Sequence, residues 1–307
     1  MTRALVLLAA YNGAAWIEGQ VSSILAQRDV EVEVMIGDDA SRDDTLERLA
    51  IRFAGDARVR VISWDRASGS AGANFLRLMR AADASGFDVV ALSDQDDEWF
   101  PDKLAAGVAA LRTSAAAGFS AAVTARWDNG RETVLTQCPQ TRRADFLFEG
   151  AGQGCTFVLG HAFFGRVQRF LASKAGQGTD MHFHDWMLYV LSRAWGERWV
   201  FDPTPRMVYR QHADNEIGAR GGSSALARRL GKIRDGWYAA QIAKAGAVYE
   251  AAGGTDPSVL RLVRELERGR ARGPLASAGL ALRLWRDGRR RAVDRAVLVV
   301  AALARWI

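Results

Sequence analysis

Four apolar runs, each followed by a segment with apolar residues at helical spacing, fill about the first 112 residues and leave little choice of fold. Ala4–Ala10 leads into Trp16, Ile17, Val21, Ile24 and Leu25, and Val32–Gly37 leads into Leu46–Phe53. Val59–Ile62 leads into Asn74–Ala82, and Val89–Leu92 into the stretch after Pro101 with Leu104, Val108 and Leu111. This alternation predicts an α/β chain with a mostly parallel open sheet and helices on both faces. In such sheets ligands bind beyond the carboxyl ends of the strands. Here those ends carry Tyr11-Asn12-Gly13, Gly37-Asp38-Asp39 and Ser93-Asp94-Gln95-Asp96-Asp97. The seven-residue run after Arg3 is expected to be a buried first strand feeding a helix, not a secretory leader.

Beyond Gly118 the pattern loosens. Ser120–Ala125 reads as a further strand, Asp145–Gly160 is mixed and glycine-rich, and His184–Ala194 reads as a helix. Pro203 and Pro205 are expected to break the chain before Arg206–Arg210. Gly218–Ser224 reads as a linker, followed by helical stretches over 225–252, 257–270 and 280–307. No apolar stretch approaches the ~20 residues of a spanning helix.

Charge divides the chain at that linker. Residues 1–219 hold 23 Lys/Arg against 28 Asp/Glu, a net of −5, whereas 220–307 hold 18 against 7, a net of +11. A helical, basic C-terminal extension of this kind predicts an anionic partner, either nucleic acid or a lipid surface. Arg228, Arg229, Lys232 and Arg234, then Arg283, Arg286, Arg289, Arg290, Arg291 and Arg295, interleave with Trp237, Tyr238, Trp285 and Trp306. That mixture favours helices lying on an anionic membrane. The acidic first part and the lack of an RRM, KH or zinc-finger signature argue against nucleic acid. The two cysteines, Cys138 and Cys155, form no CxxC pair, which excludes a disulfide scaffold and fits a reducing compartment.

Four carboxylates, Asp94, Asp96, Asp97 and Glu98, crowd the end of the fourth predicted strand. Like charges at a sheet edge are costly unless a cation neutralises them, and hard oxygens suit Mg2+ or Mn2+. Asp94 and Asp96, two residues apart, can converge on a metal and a nucleoside diphosphate. Asp97, Glu98 and Asp102 read as favouring the dipole of the following helix. Asp38 and Asp39 can accept hydrogen bonds from a base or ribose. No GxxxxGK(S/T) or GxGxxG follows the first strand, so phosphates must be met by metal and side chains.

In this order, Ala10-Tyr11-Asn12-Gly13, Gly37-Asp38-Asp39-Ala40-Ser41-Arg42-Asp43, Ser93-Asp94-Gln95-Asp96-Asp97-Glu98-Trp99, His184-Asp185-Trp186 and Tyr209-Arg210-Gln211-His212 resemble the motifs of family 2 glycosyltransferases. Among them the chain looks like the rhamnosyltransferase-like members of bacterial surface-polysaccharide synthesis. The resemblance spans about 220 residues and implies the GT-A (Rossmann-like) fold, with a nucleotide-binding half over 1–115 and an acceptor half over 116–219. It implies an inverting, metal-dependent transfer from a nucleotide-diphosphate sugar, dTDP-rhamnose ahead of UDP-hexoses, to a saccharide or lipid-linked saccharide. The donor set would be Ala10, Tyr11, Asn12, Asp38, Asp39, Asn74, Asp94 and Gln95. The metal set would be Asp96 and His212, and Asp185 the general base. Gly152, Gln153, Gly154, Cys155, His184 and Trp186 would line the acceptor cleft. Ala10 and Ala40 depart from the family pattern, where Ser or Thr and Gly are usual. No QxxRW motif is present, which favours single addition over polymerisation. The implied location is cytoplasmic, peripheral at the inner face of the cell membrane. A sugar-nucleotide nucleotidyltransferase is the alternative, weakened by the absence of a basic residue in Tyr11-Asn12-Gly13-Ala14-Ala15.

Overall fold

The computed structural model describes residues 1–178, 181–212, 235–268 and 273–307. The repeating units are β1 (Thr2–Ala10), α1 (Ile17–Leu25), β2 (Val30–Asp38), α2 (Thr45–Arg52), β3 (Val59–Ser63), α3 (Ala71–Ala81), β4 (Val89–Asp94), the two-residue β5 (Glu98–Trp99) and α4 (Lys103–Ser114). The first four strands are parallel in the order β3-β2-β1-β4. The strand order reverses between β1 and β4, where a ligand crevice opens in sheets of this type.

Alternation along β1 separates two cores. Leu5, Leu7 and Ala9 pack with Phe75 and Leu78 of α3, while Ala4, Val6 and Leu8 pack with Ile17 and Val21 of α1 and Leu104 of α4. Leu7 and Leu8 are both fully buried, each worth about 1.5–3 kcal/mol. Covering both faces is what writes β1 as an unbroken apolar run.

Beyond α4 the sheet becomes mixed. β6 (Gly118–Trp127) carries the antiparallel β7 (Glu132–Leu135), and β8 (Val158–Gly160) runs antiparallel between β4 and β6. After β8 come α5 (His161–Ala172), α6 (Lys174–Gln177), α7 (His184–Ala194) and β9 (Trp199–Gln211). β9 lies parallel to β6 and antiparallel to β5. Pro203 and Pro205 do not break it: the register with β6 shifts around Ala121–Thr124, a bulge that absorbs residues unable to donate to the ladder.

The C-terminal segment forms α8 (Trp237–Ala251), α9 (Pro257–Glu267), α10 (Pro274–Asp287) and α11 (Ala292–Leu303). The stretch expected as one helix over 280–307 is therefore two, parted at Gly288, where a Cβ would lie 2.4 Å from the Leu284 carbonyl oxygen. Ile242, Val248, Leu262, Leu280 and Leu298 are buried in the same core as Leu5 and Leu7. The predicted linker 218–224, the boundary at 219/220 and the basic residues 228, 229, 232 and 234 lie outside the described residues. Among the described residues no helix is long and apolar enough to cross a membrane.

Candidate active site

The loops after β1, β2 and β4 are tied to one another by side chain to backbone bonds. Gln95 grips Tyr11 at both backbone groups, its Oε1 accepting from the Tyr11 N–H at 2.8 Å and its Nε2 donating to the Tyr11 carbonyl at 2.9 Å. A Cβ at Gly13 would sit 2.2 Å from the Gln95 Oε1, so a side chain there would push Gln95 off Tyr11. Asn12, at φ 49°, donates its N–H to Ser41 Oγ and accepts from the Arg42 N–H, both at 2.8 Å. Gln95 and Asn12 therefore shape the crevice through the backbone, while the Tyr11 ring stands 47% exposed above it. Ala40 holds the left-handed region at φ 62°, the strain that a glycine there would avoid.

The acidic donor residues divide in the same way. Asp39 is occupied: it accepts from the Ser68 N–H and Oγ at 2.8 Å and pairs with Arg77 at 3.3 Å. Asp38 is fully buried and takes the Ser41 N–H at 3.1 Å, but its Oδ1 meets no hydrogen-bond partner among the described residues. Asn74 is spent inside the protein, accepting from Trp64 Nε1 at 2.9 Å and donating to the Gly37 carbonyl at 2.8 Å. Expected as a donor contact, it instead buttresses the end of β2 from α3. Ala10 is buried, and its carbonyl accepts from the Asp39 N–H at 2.8 Å.

The end of β4 brings Asp96 to His212 at the end of β9, with Asp96 Oδ2 and His212 Nε2 2.8 Å apart. The imidazole is stacked on Trp16 at 4.4 Å, a third element at this point that periodicity had assigned only to the core face of α1. Neighbouring ligands of a six-coordinate Mg2+ stand about 3 Å apart, so this oxygen and nitrogen fit adjacent positions around such an ion, with the half-buried Asp94 beside them. Asp97 does not serve the α4 dipole as expected. It is buried, no N–H or O–H reaches its oxygens among the described residues, and burial, then Asp96 and Asp94, push its carboxyl well above the usual range. Glu98 pairs with Arg210 at 3.2 Å, and Asp102, the residue before α4, pairs with Arg206.

Under Asp97 lie Cys155 and Lys103. Asp94, Asp97 and Cys155 bring one ligand atom each within 4.8 Å of one another. A buried thiol held well above its usual pKa by desolvation is a poor partner for a hard cation, which favours Asp94, Asp96 and His212 as the metal side of the cluster. Lys103 is buried over the Trp99 ring, its Nζ 3.5 Å from the centroid, and burial lowers its pKa to about 7.

Two consecutive residues join this cluster to α7. A Cβ on Gly154 would meet His184 Nε2 at 2.6 Å and Asp185 Cβ at 3.1 Å, while Cys155 faces Asp94 and Asp97. Neighbouring Cα atoms are 3.8 Å apart, so the start of α7 and the end of β4 lie on either side of one short segment. Asp185 is half-buried, and its Oδ1 accepts from the Trp186 N–H at 2.6 Å. Within the expected acceptor cleft, Gly152 and Gln153 are partly exposed, and Gln153 accepts from Gln137 Nε2 at 3.1 Å. Cys155, His184 and Trp186 are buried, so their side chains support the cleft rather than face it. His184 stacks on Phe75 at 4.0 Å and burial drives its pKa down to about 3. Trp186 donates Nε1–H to the Phe146 carbonyl at 2.6 Å.

A buried ionic network behind the acceptor segment was not anticipated. Asp145 is fully buried and takes Arg193 at 2.7 Å, the Tyr189 hydroxyl at 2.9 Å and Arg290 at 3.6 Å. Arg290 also donates to the Gly150 carbonyl at 2.7 Å, and Arg289 pairs with Glu149 at 3.4 Å. Arg295 turns inward onto the carbonyls of Arg289 and Arg290, Arg291 donates to Thr136, and Arg283 pairs with Glu265 at 2.8 Å. Arg289, Arg290 and Arg291, expected to face an anionic surface, instead hold the C-terminal helices to the segment around 136–150, while Arg283 and Arg295 are engaged within the C-terminal segment itself. Basic composition could not reveal this, because the partners are about 140 residues away.

Residues 5–173 match the family model described as Glycosyl transferase family 2. The dTDP-rhamnosyl transferase RfbG of Shigella flexneri is 34% identical over 240 residues, 77% of this chain and 82% of that relative. In architecture, S. aureus TarS in complex with UDP-GlcNAc superposes with a TM-score of 0.57 at 14% identity, covering all of this chain and 80% of that one. The mannosyltransferase PcManGT of Pyrobaculum calidifontis, in complex with GDP-Man and Mn2+, gives 0.51 at 18% identity over 99% of this chain and 85% of that one.

Proposed function

The chain belongs to glycosyl transferase family 2 and is a glycosyltransferase; from that premise we propose that it transfers one sugar from a nucleoside-diphosphate donor to a hydroxyl of a saccharide or lipid-linked saccharide in cell-surface polysaccharide synthesis. dTDP-rhamnose is the first candidate donor, since the relative sharing most of the length is named a dTDP-rhamnosyl transferase, with UDP-hexoses next. Residues 1–115 hold the donor in this reading, 116–219 form the acceptor side, and Arg289, Arg290 and Arg291 of the C-terminal segment brace the latter. Family membership removes the ground for a nucleotidyltransferase, whose basic first loop is also missing.

The observation that carries the reading is the meeting of three loops and α7 at the β4 edge, with Gly154 against Asp185 and the adjoining Cys155 against Asp94 and Asp97. Tyr11 offers an exposed ring to the base, while Asp38, fully buried, and Asp39, engaged by Ser68, stand at the end of β2 as the candidate base and ribose side of the crevice. Asp96 and His212, with Asp94, would hold Mg2+ or Mn2+. When bound, the cation supplies Lewis-acid stabilisation of the charge on the departing diphosphate. Asp185 takes the proton of the acceptor hydroxyl as its oxygen bonds to the anomeric carbon. The bond from that carbon to the diphosphate oxygen breaks on the opposite side, which inverts the centre.

Asp185→Asn separates binding from chemistry. It should retain metal-dependent donor binding and lose about 10²–10⁴-fold in kcat, the usual worth of a general base. Full turnover by this variant would remove Asp185 from the role.

A further inference from the structure

With Arg289, Arg290, Arg291 and Arg295 turned to the protein, a different part of the C-terminal helices meets the outside. α10 and α11 pack side by side and carry exposed apolar side chains: Leu275 is 91% exposed, Leu282 73%, Trp285 49%, Val293 77% and Val300 56%. On α11 the spacing of Val293, Val297 and Val300 is one stripe of a helix, and no charged residue interrupts it between Ala292 and Leu303 on the exposed side. Among the described residues nothing covers this face. Large apolar side chains gathered on the exposed sides of two adjacent helices point to an interaction site.

A cavity of about 180 Å³ opens on the flank of α10 next to this stripe, lined by Arg143, Arg261, Arg283, Arg286, Ser258 and Asp287 among others. Arg283 and Arg286 lie one residue from Leu282 and Trp285, so cavity and stripe occupy neighbouring faces of one helix. Glu265 holds Arg283, and Asp287 holds Arg286. Arg143 donates to Ser258 Oγ and stands 3.9 Å from Asp256, and Arg261 is exposed on α9. The excess charge is positive.

We propose that the α10–α11 face seats the protein on an anionic lipid bilayer, its valines, leucines and Trp285 entering the headgroup region and the arginine-lined cavity receiving a lipid phosphate. Charge selects a bilayer over a second copy of the chain. A two-fold contact would bring the same arginines together, whereas lipid phosphates complement them. α10 and α11, at 14 and 12 residues, are about 18–21 Å long and lie on a membrane rather than cross it. Trp285 at the edge of the stripe suits the interfacial zone. The inference rests on the proposed function only in giving a use to the surface: it would hold the enzyme where a lipid-linked acceptor lies.

Flotation of the full chain with vesicles of phosphatidylcholine, with and without phosphatidylglycerol, tests this at physiological salt. The wild type should float with the anionic vesicles about tenfold better than with the neutral ones. The double variant Leu282→Glu, Val300→Glu should lose flotation with both at an unchanged Tm, and Arg261→Glu should lose only the preference for the anionic vesicles. A wild type that stays at the bottom of the gradient overturns the proposal, as does a wild-type dimer that the double variant converts to monomer. Mn2+-dependent binding of dTDP, measured on the same preparations, separates the two readings: it should be equal in wild type and double variant, and its absence from both would count against the transferase site and not against the docking face.

Discussion

Arg290→Ala probes how firmly the C-terminal segment braces the acceptor side. The guanidinium is 2% exposed and stands 3.6 Å from Asp145 and 3.5 Å from Glu149. It also donates to the Gly150 carbonyl and covers the Phe201 ring at 4.9 Å. Removing one partner of a buried pair costs about 3–5 kcal/mol. Asp145 keeps Arg193 and the Tyr189 hydroxyl, and Glu149 keeps Arg289, which puts the expected loss at the lower end, about 3 kcal/mol. For a chain of this length that is a fall in Tm of about 6 °C, read by calorimetry. Burial already raises the Asp145 carboxyl against the pull of Arg193 and Arg290, and the variant raises it further. A group whose folded pKa is raised binds its proton more tightly when folded, so the variant's deficit is largest at neutral pH and narrows as pH falls through that folded pKa. Because Gly150 opens the segment that meets α7, the acceptor KM should rise while the donor KM holds, and Arg290→Lys should recover part of the stability. A Tm within about 1 °C of wild type, or equal rises in both KM values, would refute the bracing role.

Two further outcomes concern local chemistry. His184, with a folded pKa near 3 against 6.5, is neutral when buried; stability is therefore lost as pH falls from 6.5 toward 3, by roughly 1.4 kcal/mol per unit, and urea titrations of His184→Gln should show a shallower acid limb. Ala40→Gly should stabilise the protein by up to about 1 kcal/mol, since relief of the left-handed strain at φ 62° exceeds the added chain entropy; a loss of stability in the same titration would mean that Ala40 is not strained.

The first four strand–helix units were readable because a strand buried on both faces reads as a continuous apolar run, as Ala4–Ala10 of β1 and Val89–Leu92 of β4 do. What followed was harder for identifiable reasons. β9 hides behind Pro203 and Pro205, whose bulge depends on β6 and not on local sequence. α5 carries Phe163, Phe164, Val167, Phe170 and Leu171 at helical spacing, a pattern that was there to be read. Strand-end position correctly brought Asp38, Asp94 and Asp96 to one edge. It said nothing of how Asn74, Cys155, His184 and Trp186 would point, because Trp64, Asp97, Phe75 and the Phe146 carbonyl decide that from elsewhere in the fold. Charge counting found the basic tail and missed its direction, since Asp145 and Glu149 satisfy Arg290 and Arg289 across the fold.

The most direct test of the account is titration calorimetry of dTDP into the protein with Mn2+ and with EDTA, for wild type and Asp96→Asn. The Asp96–His212 pair at the end of β4 predicts saturable binding by the wild type in Mn2+ alone, and no metal-dependent binding by the variant. Equal wild-type affinity in EDTA, or an Asp96→Asn variant that binds dTDP as tightly as wild type in Mn2+, would contradict it.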